Sequence, residues 1–419
     1  MRRNPWNLLT VRGKVFFFAG LAVLVAAMLL GQRDILLLGL LLALLPVIAV
    51  IFMARSKLKL SCERSSDHGQ IAIGESVEGR LTLEKTGRMP SGMLLFEEHV
   101  PPQLGRRPRF AVNETSGSWT RQVTYPLQGH QRGKFITGPL LVRSTDAFGL
   151  ARADRQFSAT TEIMVTPRVH PLSTMRNVTG GGAAGESRPQ RIGISGQDDV
   201  LVREYRQGDD VRRIHWRSTA RRDEIMVRRE EQAWDPSISL ILDSRAGAHA
   251  GHGPESSFEQ AVSFATSIAL HFMADGFDLS LFDSRGPMLS SAGAQTNQQH
   301  VLRCFTEVQT TTASAMTAGL DAAALAQRGQ LVVAVVGRLS MGDAQQLLRS
   351  RRNRAQGLLV ALDVDSYVSR SERADIEVRD EHQEALAMLR QHQWRLVEVK
   401  SGMNFAEAWR DLERMGDFT

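Results

Sequence analysis

The run Leu331-Val332-Val333-Ala334-Val335-Val336 contains no polar side chain. That is the composition of a strand with neighbours on both sides and helices on both faces. Four shorter runs, over residues 238–242, 279–282, 358–362 and 396–399, repeat its character. Between them the pattern changes to that of amphipathic helices over 256–274, 297–308, 322–327, 341–352 and 381–393, with a last one over 404–414. In the first helix Phe258, Val262, Ala265, Ala269 and Phe272 fall on one face, the stripe a helix needs to cover a sheet. The alternation predicts an α/β Rossmann-like domain over 237–419, built on a parallel sheet. It predicts no dinucleotide site, because no G-x-G-x-x-G follows the first strand.

Upstream, residues 57–169 have period two. Examples are Ser76-Val77-Glu78-Gly79-Arg80-Leu81-Thr82-Leu83 and Trp119-Thr120-Arg121-Gln122-Val123-Thr124-Tyr125, broken by Gly and Pro clusters. This predicts a small antiparallel β-sandwich. Residues 132–142 followed by 146–150 read as two strands joined by a turn. Gly133-Lys134 lacks the glycine spacing and the following Ser/Thr of a phosphate loop. Residues 170–196, rich in Gly, Ser, Thr and Pro, read as a flexible linker.

At the other end, residues 15–31 and 35–54 are uncharged and apolar, separated only by Gln32, Arg33 and Asp34. Each is close to the length that crosses about 30 Å of hydrocarbon, so residues 1–56 read as a transmembrane helical hairpin with Pro46 inside the second span. Arg2, Arg3, Arg12 and Lys14 flank one end and Arg55, Lys57 and Lys59 the other, while the turn carries no net charge. The positive-inside rule then puts both termini in the cytoplasm, with two passes through the membrane, and the excess of 45 Arg over 6 Lys suggests a GC-rich bacterial genome and so a bacterial cytoplasmic membrane. The whole chain of 419 residues is 42% hydrophobic, 23% charged and of net charge +6. The first 59 residues alone hold eight Lys/Arg against Asp34, a charge of +7, so residues 60–419 carry −1 and offer no case for nucleic-acid binding. Two cysteines, Cys62 and Cys304, cannot build a disulfide framework or a four-cysteine zinc site.

The densest signal is the charged segment 197–236. Its stretch 198–231 holds nine Arg and nine Asp/Glu, so it is neutral overall and suited to ion pairs. Gly208 and Asp209 supply a turn and an N-cap, and Val211, Ile214 and Trp216 would face inward from a short helix. Residues 225–231 alternate as a strand leading into the sheet would.

The run Arg203-Glu204-Tyr205-Arg206-Gln207-Gly208-Asp209-Asp210-Val211-Arg212-Arg213-Ile214-His215-Trp216-Arg217-Ser218-Thr219-Ala220-Arg221, with a strand ending in Leu242-Asp243-Ser244, resembles the signature of the bacterial domain-of-unknown-function family fifty-eight. The segments Arg132-Gly133 to Gly138-Pro139 and Asp146-Ala147-Phe148-Gly149-Leu150, and the paired N-terminal spans, match that family's layout. The resemblance implies a von Willebrand factor A-like domain and a protein partner, often a MoxR-type AAA+ ATPase. It implies no enzymatic activity.

Such domains commonly hold Mg²⁺ through D-x-S-x-S at the end of the first strand. Here Asp243 and Ser244 are present, but Arg245 and Gly247 stand where the serines should be, so no metal or other cofactor is expected. Asp243 would instead cap a loop or pair with an arginine, while Asp283, Asp363 and Asp365 lie at or just beyond other strand ends. No H-E-x-x-H or G-x-S-x-G motif occurs, and His215 reads as a structural donor. Two expectations follow. One is a non-enzymatic, membrane-anchored cytoplasmic adaptor acting in envelope assembly or maturation, with Arg203, Tyr205, Gly208, Asp209, Arg212, Trp216 and Arg221 either gripping the partner or docking internally, and with no small-molecule substrate. The other is a metal-regulated or enzymatic domain acting near Asp243.

Overall fold

The computed structural model describes residues 5–55, 59–66, 69–86, 93–113, 117–174, 202–205, 214–222, 224–228, 237–289, 297–326, 331–351 and 356–414. The chain divides into two compact units, residues 1–168 with 305–307, and 169–304 with 308–419.

In the first unit α1 (Val11–Leu30) and α2 (Arg33–Arg55) form an antiparallel apolar pair, long and apolar enough to cross a membrane. They meet closely at Gly20 on α1, against Ala43, and at Gly39 on α2, against Leu24. The contact needs glycine. A Cβ on Gly20 would lie 2.5 Å from the Ala43 nitrogen, and one on Gly39 2.9 Å from that of Leu24. Between apolar helices in lipid, such close backbone approach is the main source of association. A Gly20→Leu chain is expected to lose about 1–3 kcal/mol, by analogy with overpacked cores, read as a lower melting temperature of the full chain in detergent. Changing exposed Leu21 to Phe should leave the transition in place.

Among the described residues ten strands follow: β1 (Leu60–Ser66), β2 (Gln70–Ala72), β3 (Ser76–Lys85), β4 (Met93–Glu98), β5 (Arg109–Val112), β6 (Trp119–Gln128), β7 (Gly133–Thr137), β8 (Leu140–Thr145), β9 (Arg152–Phe157) and β10 (Thr161–Thr166). They form sheets ordered β1-β3-β6, β2-β10-β7 and β5-β4-β8-β9, sharing one apolar core around Leu81, Leu83, Leu94, Phe96, Leu140 and Ile163. The expected strands at 76–83 and 119–125 are there. The stretch 132–150 holds two strands, β7 and β8, followed by a turn, and the two do not pair with each other: β7 pairs with β10 while β8 pairs with β4 and β9. All pairings are antiparallel except the parallel β2–β10 pair. Inside this domain Arg64 grips buried Glu98 with two hydrogen bonds, Nε to Oε1 at 2.8 Å and Nη2 to Oε2 at 3.2 Å.

The second unit starts with β11 (Val202–Glu204), α3 (Trp216–Arg222) and β12 (Met226–Arg228). Among the described residues β12 pairs with β11 and bridges to Ile214 through Val227, and residues 229–231 of the expected strand lie outside the described residues. Then come β13 (Ser237–Leu242), α4 (Ser257–Ala274), β14 (Asp278–Asp283), β15 (Gly286–Leu289), α5 (Gln298–Glu307), α6 (Thr317–Ala326), β16 (Leu331–Val336), α7 (Met341–Ser350), β17 (Gln356–Leu362), α8 (Ile376–Gln391), β18 (Trp394–Val399) and α9 (Phe405–Arg414). The sheet order is β15-β14-β13-β16-β17-β18; β13, β14, β16, β17 and β18 run parallel and only edge strand β15 is antiparallel. All six residues of β16 are buried, as their composition required. Helix α4 buries the expected stripe and its opposite side as well: Phe264 stacks on Phe405 of α9 with ring centroids 4.0 Å apart.

The linker expected over 170–196 lies outside the described residues from 175 on. Its beginning is part of the fold. His170 donates its N–H to Ser267 and sets its ring against Phe264 and Phe405, and the Trp409 indole N–H donates to the Ser173 carbonyl at 3.0 Å.

Candidate functional site

In an open α/β sheet, ligands approach the carboxyl ends of the strands where the strand order reverses. Here the chain steps from β13 outward to β14, then crosses back to β16, so the reversal lies between β13 and β16. Asp243 follows β13 directly and its side chain is completely buried. Its backbone N–H donates to Val335, fixing it at the sheet.

The carboxylate of Asp243 is fully engaged by the chain itself. Arg245 folds back onto it, Nε donating to Oδ1 at 2.9 Å and Nη2 to Oδ2 at 2.8 Å. The same guanidinium donates to Asp343 Oδ2 at 2.9 Å and to the carbonyls of Arg338 at 3.1 Å and Ser314 at 3.4 Å. Asp343 is tied in turn to the N-terminus of α7, where it and Ser340 form a capping box. A buried cation thus bridges two buried carboxylates, and the bidentate fork is the geometry that arginine forms with a carboxylate. These carboxylates hold the Arg245 guanidinium well above its ordinary range, although burial pulls the other way.

The next strand repeats the motif. Asp283-Ser284-Arg285 at the end of β14 mirrors Asp243-Ser244-Arg245 at the end of β13. The two serines exchange hydrogen bonds: Ser244 N–H donates to Ser284 Oγ at 2.9 Å and Ser284 N–H to Ser244 Oγ at 3.2 Å. Arg285 folds onto Asp283 more loosely, at 3.3 Å, while Asp283 Oδ1 accepts from the backbone of Arg285 and Gly286 to turn the chain into β15. Both copies were readable in the sequence as D-S-R-x-G/P at the ends of apolar runs. Their clasp was not, because it needs β13 and β14 to be neighbours.

Around this pair, His249 donates from Nε2 to the Asp243 carbonyl at 2.8 Å, with Nδ1 3.2 Å from the Ser257 hydroxyl. Gly337 lets the chain pass closely: a Cβ there would lie 2.1 Å from the Ala248 carbonyl oxygen. Beyond β16 a cavity of about 570 Å³ opens over the ends of β16, β17 and β18. Its lining includes Arg338, Asp363, Asp365, Arg379, His382 and Lys400. Asp365 accepts from Arg338 at 2.6 Å and from the Ala374 N–H at 3.0 Å. Burial would raise its pKa, but these two donors hold it below the usual carboxylate range. His382 Nδ1 accepts from the Leu339 N–H at 3.0 Å, which leaves Nε2 as the protonated nitrogen.

Burial pushes both His249 and His382 below the ordinary imidazole range, against Asp243 on the first and Glu398 on the second, which pull upward. Each folded-state pKa lies below the unfolded one, so below pH of about 6.5 the unfolded chain binds more protons and stability falls as pH drops. Asp365 adds a second loss only further down, in the carboxylate range. The urea midpoint of the α/β domain should therefore be lower at pH 5 than at pH 7.5. Equal midpoints would show that neither imidazole is held neutral.

Of the signature residues, the structure describes Tyr205, Trp216 and Arg221 and the backbone of Arg203. Trp216 is 71% exposed and is not an inward anchor. The face of α3 that meets β12 carries Thr219, whose hydroxyl donates to the His215 carbonyl and accepts from the Met226 N–H, and Trp216 projects from another face. His215, read as a donor from the sequence, uses Nδ1 as an acceptor of the Ser218 N–H at 3.3 Å and lies 2.9 Å from the Ser218 hydroxyl at the start of α3. Tyr205 donates its N–H to the Ile225 carbonyl, and Arg221 is exposed. Arg203 lies in β11. The positions of Gly208, Asp209, Val211 and Arg212, like the Arg203 side chain, fall outside the described residues.

Residues 201–398 match the family described as protein of unknown function DUF58. The uncharacterized protein YeaD of Bacillus subtilis (strain 168) is 23% identical over 248 residues, covering 56% of this chain and 56% of that protein. The chain thus spans just over half the length of that curated relative. Among solved structures, the CARDB domain of the PF1109 protein from Pyrococcus furiosus aligns with 26% of this chain and 88% of that one, at 10% identity and a TM-score of 0.19. A beta-glucosidase from Listeria innocua in complex with isofagomine aligns with 26% of this chain and 16% of that one, at 14% identity and a TM-score of 0.17. Scores this low carry no inference about fold or chemistry.

Proposed function

We propose, from the premise that residues 201–398 carry a DUF58 domain, that this chain is a membrane-anchored adaptor. Its hairpin spans the bacterial cytoplasmic membrane with both ends in the cytoplasm. Its α/β domain is of von Willebrand factor A type and binds a protein partner, a MoxR-type AAA+ ATPase or that ATPase's client, in envelope assembly or maturation. The parallel sheet with one antiparallel edge strand beside its second strand supports the domain type.

The observation that carries the reading is the state of Asp243. At the strand end where a metal-dependent or catalytic domain would present its carboxylate, Arg245 takes both oxygens from within. What the strand-end face then offers is a polar recognition surface, with exposed Arg373 and Lys400 on the wall of its cavity. The same observation counts against a metal-regulated or enzymatic role at Asp243.

The experiment is affinity capture of the full-length chain from detergent-solubilised membranes, with and without ATP, read by mass spectrometry. The adaptor reading expects stoichiometric recovery of an AAA+ ATPase that changes with nucleotide. It also expects at least a tenfold loss in an Arg373→Glu, Lys400→Glu chain whose melting curve is unchanged. Recovery of no such partner in either condition would overturn it.

A further inference from the structure

The first unit shows how the β domain is joined to the hairpin. Just before α1 the chain pairs with the edge of β9: Arg152 N–H donates to the Leu8 carbonyl at 2.7 Å and Thr10 N–H to the Leu150 carbonyl at 2.9 Å. One hydroxyl serves both parts, because Thr10 Oγ1 donates to the Gly149 carbonyl at 2.7 Å and accepts from the Gly13 N–H at 3.1 Å to cap α1. A Cβ on Gly13 would lie 2.1 Å from the Leu150 carbonyl oxygen, so only glycine admits the contact. Leu8, Leu150, Ala151 and Ala153 close against Ala49 and Met53 of α2 in one apolar cluster.

These bonds fix the turn between β8 and β9 beside the first turn of α1, two residues ahead of Val15, where the uncharged run begins. The turn is held by Asp146, whose carboxylate accepts from the N–H groups of Phe148 at 3.1 Å and Ala151 at 2.6 Å. At its tip Phe148 is 70% exposed. In the segment before α1, Trp6 is 47% exposed and lies edge-on to Phe17 with ring centroids 5.7 Å apart. Arg12 and Lys14 are in the same first turns of α1. Aromatic rings beside basic residues at the end of an apolar helix suit the zone where headgroups meet acyl chains.

We propose that Trp6 and Phe148 form an aromatic collar embedded in the lipid headgroup–acyl boundary, so that the β domain is seated directly on the bilayer through its β8–β9 turn. The inference rests on α1 and α2 spanning the membrane. Phe148 is the decisive residue, since it lies in a folded domain and has no part in a membrane span.

The test uses the full chain, with Cys62 and Cys304 replaced by serine, in nanodiscs of mixed phosphatidylcholine and phosphatidylglycerol. An environment-sensitive NBD label is placed on Phe148→Cys, on Ser158→Cys beyond the far end of β9, about 20 Å away at strand rise, and on mid-span Leu44→Cys. The collar expects label 148 to emit to the blue of label 158 and to be quenched several-fold more by a doxyl lipid whose spin label lies near the headgroup. Label 44 should respond to a deep spin label. If 44 is quenched and 148 behaves like 158, the collar is wrong and the spans stand. If 44 is not quenched, the membrane reading fails and the collar with it.

Discussion

An Arg245→Ala chain is expected to lose about 3–5 kcal/mol of stability in its α/β domain, because Asp243 and Asp343 would remain buried without the cation that joins them. Most of that loss comes from stranding two carboxylates, not from the net value of the ion pair. A chain carrying Asp243→Asn and Arg245→Met together should therefore recover part of it. Each change is read as the midpoint of the α/β transition in urea, separated from the β domain by its own probe because a chain of two units need not unfold in one step. Vacating the guanidinium also leaves carboxylate and hydroxyl oxygens facing one another, the donor set that hard divalent cations prefer. Mg²⁺ or Ca²⁺ is accordingly expected to raise the melting temperature of Arg245→Ala and to leave that of the unaltered chain unchanged. A single mutant within about 0.5 kcal/mol of the unaltered chain, the scatter of an ordinary surface substitution, would show that the guanidinium is not what holds the strand ends together.

Trp409→Ala is expected to cost about 3–5 kcal/mol in the same domain, the usual range for emptying a large aromatic site. Trp409 is fully buried on the α9 stripe Phe405, Ala408, Trp409 and Leu412, edge-on to Phe272 of α4. Its indole also holds Ser173, so the mutation removes one of the anchors of residues 170–174 as well as a side chain. Limited proteolysis should show faster cleavage in that stretch. Trp409→Phe keeps most of the apolar contact and loses the donor, so it should open the stretch while costing much less stability. If the alanine chain unfolds at the same denaturant concentration as the unaltered one, α9 is not part of the cooperative core.

Much of the architecture was legible because it is written in local periodicity. The apolar runs at 238–242, 331–336 and 358–362 became neighbouring parallel strands. The stripe Phe258, Val262, Ala265, Ala269 and Phe272 was buried as expected. Strand β15 escaped notice since Gly286-Pro287-Met288-Leu289 is too short to show a period. Trp216 was misread for a physical reason: inward-facing aromatics are the common case, and nothing local reveals that a seven-residue helix meets its strand through Thr219.

Local patterning was enough for the apolar hairpin, for the alternation of the five parallel strands with helices, and for Asp243 followed by Arg245 where serine would favour a metal. Those are properties of residues within a few positions of one another, where helix and strand periods act. Only the tertiary structure decided that Arg245 reaches across to Asp343, 98 residues away, and that Ser244 and Ser284 clasp across 40. It likewise decided that the β8–β9 turn meets the start of α1. Such contacts depend on which strands become neighbours, and that is set by burying the whole apolar surface at once, a global requirement that no local period records.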